Sequence, residues 1–111
     1  MDDFYLPLYQ RGQGWEYKYD ANMDFHRLRN EILIPLMNNG ENIPDCAYSC
    51  RDGEYIAKGC ISTNPVIILE ASYSFYPHIN VPFNQCVYVT CSEECQWEQL
   101  MKREGENYKA F

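Results

Sequence analysis

Six cysteines are the side chains with the widest potential chemistry in this sequence of 111 residues. Thiolates bind zinc, form disulfides and act as nucleophiles, and a neutral thiol packs in an apolar core as a small hydrophobic group. The sequence leaves these roles open. The cysteines are Cys46, Cys50, Cys60, Cys86, Cys91 and Cys95.

Cysteine spacing predicts a structural zinc site as one alternative. Cys46 and Cys50 are an even number of residues apart, so both face the same side of one strand, and a tight turn would place Cys60 opposite Cys46. Cys91 and Cys95 are one helical turn apart, and either would complete a tetrahedral zinc site. Both pairs read Cys-x-x-x-Cys, which differs from the Cys-x-x-Cys pairs of common zinc ribbons. We assign no cofactor other than this possible structural zinc.

A second alternative is a small thiol-dependent enzyme or redox sensor. A helix N-terminus would stabilise the thiolate of Cys91, and Cys95, one turn away, would resolve an oxidised intermediate. Nothing in the sequence places His26 or His78 near Cys91 as a base. We therefore assign no catalytic residue.

The start of the sequence bears on compartment and on disulfides. It reads Met-Asp-Asp-Phe, without the basic and apolar regions of an export signal, so we expect a cytoplasmic protein, of the encoding cell or of a host. Stable disulfides are rare in that compartment. We expect most of the cysteines to be small buried residues.

The charge excludes two classes of partner. Nine Lys and Arg against sixteen Asp and Glu give a net charge of -7, which repels nucleic-acid phosphates and anionic lipids. No apolar run reaches the roughly eighteen residues of a membrane span. We expect no direct nucleic-acid binding and no membrane association. A small anionic ligand would need local cations such as Arg27 and Arg29.

Tyrosines beside acids indicate a protein-binding surface. The sequence has ten tyrosines and two tryptophans, and such side chains are enriched at binding hot spots. We expect a non-catalytic acidic module, of inhibitor, immunity or anti-defence type, that covers a basic surface of a larger partner protein. The predicted partner-binding residues are Tyr5, Tyr9, Asp45, Tyr48, Asp52, Glu54, Tyr55 and Tyr76.

The elements that must position these residues begin with a predicted hairpin of residues 4–10 and 15–19. Pro7 makes its first strand an edge strand, which leaves a homodimer open. A helix follows, capped by Asp20 or Asn22, and Pro35 is expected to kink it or to end it near Leu33.

The second half of the chain is predicted to be mostly strand. Residues 46–50 and 55–61 flank Asp52-Gly53, a dipeptide typical of tight hairpins, and strands are expected at 66–76 and 86–90.

Thr90 and Glu93 have the spacing of a capping box for a final helix that would present Trp97, Leu100 and Met101 to the core. A chain of this size builds one core, so we expect a single domain over residues 1–111. The element order predicts an α+β fold, mostly antiparallel sheet with two helices packed on one face.

Overall fold

The α+β class is confirmed by a computed structural model, which describes residues 3–105. Its sheet consists of two antiparallel strands, β1 and β2. Two helices accompany the sheet, and we call them the central helix and the C-terminal helix. The elements are two 3-10 turns (Leu8–Gln10 and Trp15–Tyr17), the central helix (residues 25–37), β1 (Ile43–Ser49), β2 (Glu54–Ile61) and the C-terminal helix (Glu93–Glu104).

The central helix begins after Asp24, later in the sequence than the predicted caps Asp20 and Asn22. Asp24 is the N-cap, because its Oδ1 accepts a hydrogen bond of 2.9 Å from the backbone N–H of Arg27. The helix widens to π geometry over Leu28–Leu33 and returns to α geometry at Ile34–Met37. The missing N–H of Pro35 thus falls where the hydrogen-bond register changes, and the helix continues past Leu33.

The buried face of the central helix forms the centre of the core. Leu28 is only 2% exposed, and the helical spacing of the apolar positions brings its neighbours to the same side. Distant segments contribute the rest, including Ile79 from the loop after Pro77. The core residues are Phe4, Met23, Phe25, Leu28, Ile32, Leu33, Leu36, Ile43 and Ile79.

The first predicted hairpin is wrong. Pro7 is buried and precedes the first 3-10 turn, where the N–H of Gln10 donates to the carbonyl of Pro7 at 2.9 Å. Gly14 adopts a φ of 74° and starts the second turn. These local bonds replace a ladder, so the alternating aromatic residues Tyr17 and Tyr19 are exposed rather than packed.

The second hairpin is confirmed. β1 pairs with β2, Tyr48 lies opposite Tyr55, and Gly53 supplies the positive φ that the turn needs. Within residues 3–105 no further strand pairs with β2, so its outer edge is open. A homodimer can therefore not form through a strand at Pro7, but the open edge of β2 could still pair with a second copy.

The predicted strands at 66–76 and 86–90 are wrong, since the structure describes residues 62–92 without any strand. Leu69 and Tyr73 pack individually against the core, and turns such as the one joining Tyr73 to Tyr76 replace extended backbone. The alternating pattern matches burial only in part, since Leu69, Ala71 and Tyr73 are partly buried whereas Ile67 and Phe75 are exposed. It did not supply a neighbouring strand to pair with.

The C-terminal helix is confirmed, but its packing is not as predicted. Ser92 rather than Thr90 is the cap, accepting a 3.2 Å hydrogen bond from the N–H of Cys95. Trp97 and Met101 are 45% and 50% exposed, and no residue of this helix is buried. Acids in its first turn and bases in its last complement the helix dipole instead. No helix of residues 3–105 is long and apolar enough to cross a bilayer.

Arg27 joins the separate segments of the fold. Its side chain is buried, and it donates to the carbonyl of Cys46 on β1 at 2.9 Å and to the carbonyl of Asp3 at 2.6 Å. Its guanidinium lies 4.6 Å from the ring centroid of Phe4 and 5.0 Å from that of Tyr55. One side chain thus connects the N-terminal segment, the helix and both strands.

Replacing Arg27 by Met should lower the free energy of unfolding by about 3–5 kcal/mol, because two partly buried carbonyls lose their donor and Asp24 loses its ion pair. Urea denaturation measures the change. Arg51→Met, at a side chain that is 93% exposed, is the matched control and should shift stability by less than about 0.5 kcal/mol. Equal effects of the two substitutions would contradict the role given to Arg27.

The two helices should respond oppositely to truncation of an apolar side chain. Leu28→Ala removes a fully buried group and should cost about 2–5 kcal/mol, whereas Met101→Ala should cost less than about 0.5 kcal/mol. Both values come from urea denaturation at one temperature. A large loss for Met101→Ala would show that the C-terminal helix packs after all.

Candidate functional site

Part of the predicted binding set gathers at the tip of the hairpin. Asp52, Glu54 and Tyr55 are exposed there, and Tyr9 lies close enough to Tyr55 for their hydroxyl groups to interact electrostatically. We call these four residues the hairpin-tip surface. It combines two aromatic side chains with two carboxylates.

Tyr55 is the most tightly held residue of this surface. Its ring packs edge-on against Tyr48, with centroids 5.3 Å apart, and the guanidinium of Arg27 covers it at 5.0 Å. Even so, 48% of the residue is exposed. Burial raises the pKa of Tyr55, while the positive charge of Arg27 acts in the opposite direction. The ring is fixed by packing, and much of its surface remains available for contact.

The two carboxylates are exposed and differently restrained. The Oδ2 of Asp52 accepts a 2.7 Å hydrogen bond from the hydroxyl of Ser49, and its Oδ1 lies 3.8 Å from the guanidinium of Arg51. Arg51 is almost wholly exposed, so this ion pair is screened by water and holds Asp52 weakly. Glu54 begins β2 and is also exposed. Both acids can therefore pair with cations of another molecule.

Arg11 explains why Tyr9 lies at this end of the molecule. Its Nε donates to the carbonyl of Leu6 at 2.7 Å, and its guanidinium lies 4.5 Å from the ring centroid of Trp15. Its Nη2 reaches the Sγ of Cys50 beyond β1 at 3.4 Å. These contacts attach the two 3-10 turns to the hairpin and bring Tyr9, which is 83% exposed, beside the tip.

The other predicted binding residues lie elsewhere or beneath the surface. Tyr48 is buried and packs edge-on against the ring of Tyr55. Tyr5 forms an isolated antiparallel β-bridge with Met23, and the centroid of its ring lies 6.0 Å from the guanidinium of Arg11. Asp45 is partly buried and lines a groove of about 310 Å³ beside the core. The sequence thus identified more residues than the structure gathers into one surface.

Tyr76 belongs to a separate aromatic cluster. It stacks on Phe25 at 5.1 Å and meets Tyr73 edge-on at 6.5 Å. Its hydroxyl forms a hydrogen bond with the carboxylate of Asp20, which lowers the pKa of Asp20 and raises the pKa of Tyr76. Tyr76 therefore ties the 3-10 segment to the core.

The hairpin register corrects the expected arrangement of its cysteines. A shift between Asp45 and Cys46 places Cys46 opposite Ala57, and Cys60 opposite Pro44. All six thiols are free and none is buried, so the expectation of small buried cysteines is wrong. No three His, Cys, Asp or Glu side chains of residues 3–105 gather as metal ligands, and zinc stays a prediction.

Cys91 and Cys95 flank the start of the C-terminal helix, as predicted. Cys91 is exposed and precedes the cap residue Ser92, whereas Cys95 lies in the first turn. The Sγ of Cys95 accepts a hydrogen bond of 3.4 Å from the side chain of Gln99. The histidines His26 and His78 line a cavity that neither cysteine lines, so the thiol hypothesis gains no base.

Comparison with protein-family models, with curated proteins and with solved structures finds no match to this chain. The geometry of the described residues is therefore the basis for the proposals below.

The hydrogen bond between Tyr76 and Asp20 should make stability depend on pH in acid. Because the folded-state pKa of Asp20 is lowered, the carboxylate stabilises the fold above its unfolded pKa, and this stability is lost as pH falls through the folded pKa. Tyr76→Phe should therefore reduce the free energy of unfolding at about pH 6, and the deficit should shrink as the solution is acidified below about pH 4.

Tyr73→Phe is the matched control, since Tyr73 belongs to the same cluster and does not contribute to the Asp20 pKa shift. Its effect should be independent of pH over the same range, as measured by urea denaturation at each pH. A deficit for Tyr76→Phe that persists unchanged in acid would contradict the assignment.

Proposed function

We propose that this protein is a non-catalytic acidic binding module of inhibitor, immunity or anti-defence type. Its hairpin-tip surface would cover a basic surface of a larger partner protein. The observation that carries the proposal is the state of Tyr55, which Tyr48 and Arg27 hold in place while about half of it stays exposed between exposed carboxylates. The ring of Tyr55 is therefore preorganised for binding in the free protein.

Tyr55 supplies contact area at small entropic cost. A side chain whose ring is already packed loses little rotamer freedom on binding, which leaves more of its contact energy for affinity. Tyrosine is also one of the residue types that dominate interface energetics, because it combines a large apolar ring with a hydroxyl. Tyr9 offers a second, more mobile aromatic contact next to it.

Asp52 and Glu54 supply the preference for a basic partner. Exposed carboxylates at the centre of a contact orient the encounter and reject acidic competitors. The net charge of -7 adds an attraction that acts at longer range and raises the association rate. Lysine and arginine on the partner can also lie over the tyrosine rings.

The cytoplasm is part of the same proposal, in the encoding cell or in a host.

The test starts from partner capture on the immobilised protein, followed by titration calorimetry with the purified partner. Tyr55→Ala should weaken binding by about 2 kcal/mol, or about 30-fold, because it removes the fixed aromatic contact. Tyr9→Ala and Glu54→Gln should each weaken binding by about 1 kcal/mol, and neither residue supports the fold.

Glu31→Gln is the matched control, because Glu31 is an exposed acid on the central helix and its loss changes the net charge as Glu54→Gln does. It should alter affinity by less than about twofold. Unchanged affinity in both Tyr9→Ala and Glu54→Gln, with each variant folded by circular dichroism, would refute the assignment of this surface. Equal losses for Glu31→Gln and Glu54→Gln would show that only total charge matters.

A further inference from the structure

A cavity of about 670 Å³ lies between the start of the central helix and the loop of residues 77–80. It shares no residue with the hairpin-tip surface, so it is a separate site. Its lining mixes apolar side chains with nitrogen-bearing ones. The residues that matter below are Met23, Phe25, His26, Arg29, Pro77 and His78.

Arg29 brings an incompletely used guanidinium to this cavity. Its Nη1 donates to the Oδ1 of Asn30 at 2.9 Å. Its Nε is buried and has no hydrogen-bond partner within residues 3–105. That Nε is too deeply buried for a ligand to reach, but Arg29 also lines the cavity, and an oxyanion there would accept a charge-assisted bond from the outer nitrogens of the guanidinium.

No carboxylate of the cavity lining pairs with Arg29 within the described residues. Asp24 is the one carboxylate of the lining within the described residues, and that carboxylate is already engaged by Arg27 through the 2.9 Å cap bond and a 3.8 Å ion pair. The charge of Arg29 is therefore not cancelled inside the cavity. His26 and His78 add further imidazole nitrogens at its edge.

The remaining lining is aromatic and apolar. The rings of Phe25 and His78 lie 6.1 Å apart and are tilted by 37°, so two neighbouring rings line the cavity. Met23 and Pro77 extend this lining. A flat apolar body packs well against such a lining.

We propose that this cavity binds a small molecule that carries an oxyanion on an aromatic body. The oxyanion, a carboxylate or a phosphate, pairs with Arg29, and the ring lies along Phe25 and His78. Both anions match the paired donors of a guanidinium. This binding goes beyond the proposed function and does not depend on it, since the two sites have different residues and different ligands.

The test titrates the protein with benzoate, phenyl phosphate and the uncharged benzamide, followed by calorimetry and by the NMR signals of Phe25, His26 and His78. At least one of the two anions should bind with a dissociation constant of about 1 mM or tighter, and benzamide about tenfold more weakly. The tighter anion identifies the oxyanion that the cavity prefers.

Arg29→Gln should weaken the tighter anion by about tenfold or more, because the charge-assisted bond is lost. Arg51→Gln is the matched control, since it removes one positive charge at the hairpin tip, and it should change affinity by less than about twofold. If Arg29→Gln does not fold, His26→Gln, at an exposed position of the rim, should weaken the same anion by a few-fold.

Three results would overturn the proposal. The first is the absence of any shift at the cavity residues up to about 10 mM of either anion. The second is equal weakening by Arg29→Gln and Arg51→Gln, which would indicate general electrostatic attraction. The third is equal affinity for the tighter anion and for benzamide, which would show a hydrophobic cavity without an anion site.

Discussion

The guanidinium of Arg27 is the interaction on which the rest of this structure depends. A buried cation is tolerated only when it is well paired. The two terminal nitrogens of Arg27 donate to the carbonyls of Cys46 and Asp3, and its Nε, which has no hydrogen-bond partner within residues 3–105, lies 3.8 Å from the carboxylate of Asp24. With these contacts in place, the helix, the hairpin and the N-terminal segment have one compatible arrangement. Such a group specifies the arrangement of a fold more than it adds to its total stability.

Arg27 also holds in place the central residue of the hairpin-tip surface, Tyr55. Arg27 covers the inner face of Tyr55, and Tyr48 supports the ring from the side. The exposed face of Tyr55 is therefore positioned by core contacts rather than by the neighbouring turn. The turn contributes Asp52, the first residue of β2 is Glu54, and these carboxylates need exposure and little further support. A rigid aromatic group and adaptable charges thus lie side by side.

The elements that sequence reasoning predicted correctly are those with local causes. Helical spacing of apolar residues predicted the central helix, Asp52-Gly53 predicted the hairpin, and the capping-box spacing of Thr90 and Glu93 predicted the C-terminal helix. The alternating residues at 66–76 were misleading, because a strand also needs a partner to pair with, and Ile67 and Phe75 of the expected inner face are exposed.

The candidate site shows the same division between local and distant causes. Acids and tyrosines around a predicted turn were enough to identify Asp52, Glu54 and Tyr55. Their spacing did not reveal that Tyr48 would be buried, since adjacent residues of a strand normally face opposite sides and here Ala47 is buried too. The contact from Arg11 to Cys50 spans 39 positions of sequence. No local pattern in the sequence predicts this contact, and therefore none places Tyr9 beside Tyr55.

The segment before the C-terminal helix has a consequence for how copies of this protein meet one another. Val87, Tyr88 and Val89 are exposed, β-branched or aromatic, and without strand partners, which is the composition that favours pairing between chains. Repulsion between two molecules of charge -7 opposes that pairing. Salt shortens the range of this repulsion to about 8 Å at physiological ionic strength. The acidity that would attract a basic partner thus also keeps identical molecules apart, and high salt weakens both effects together.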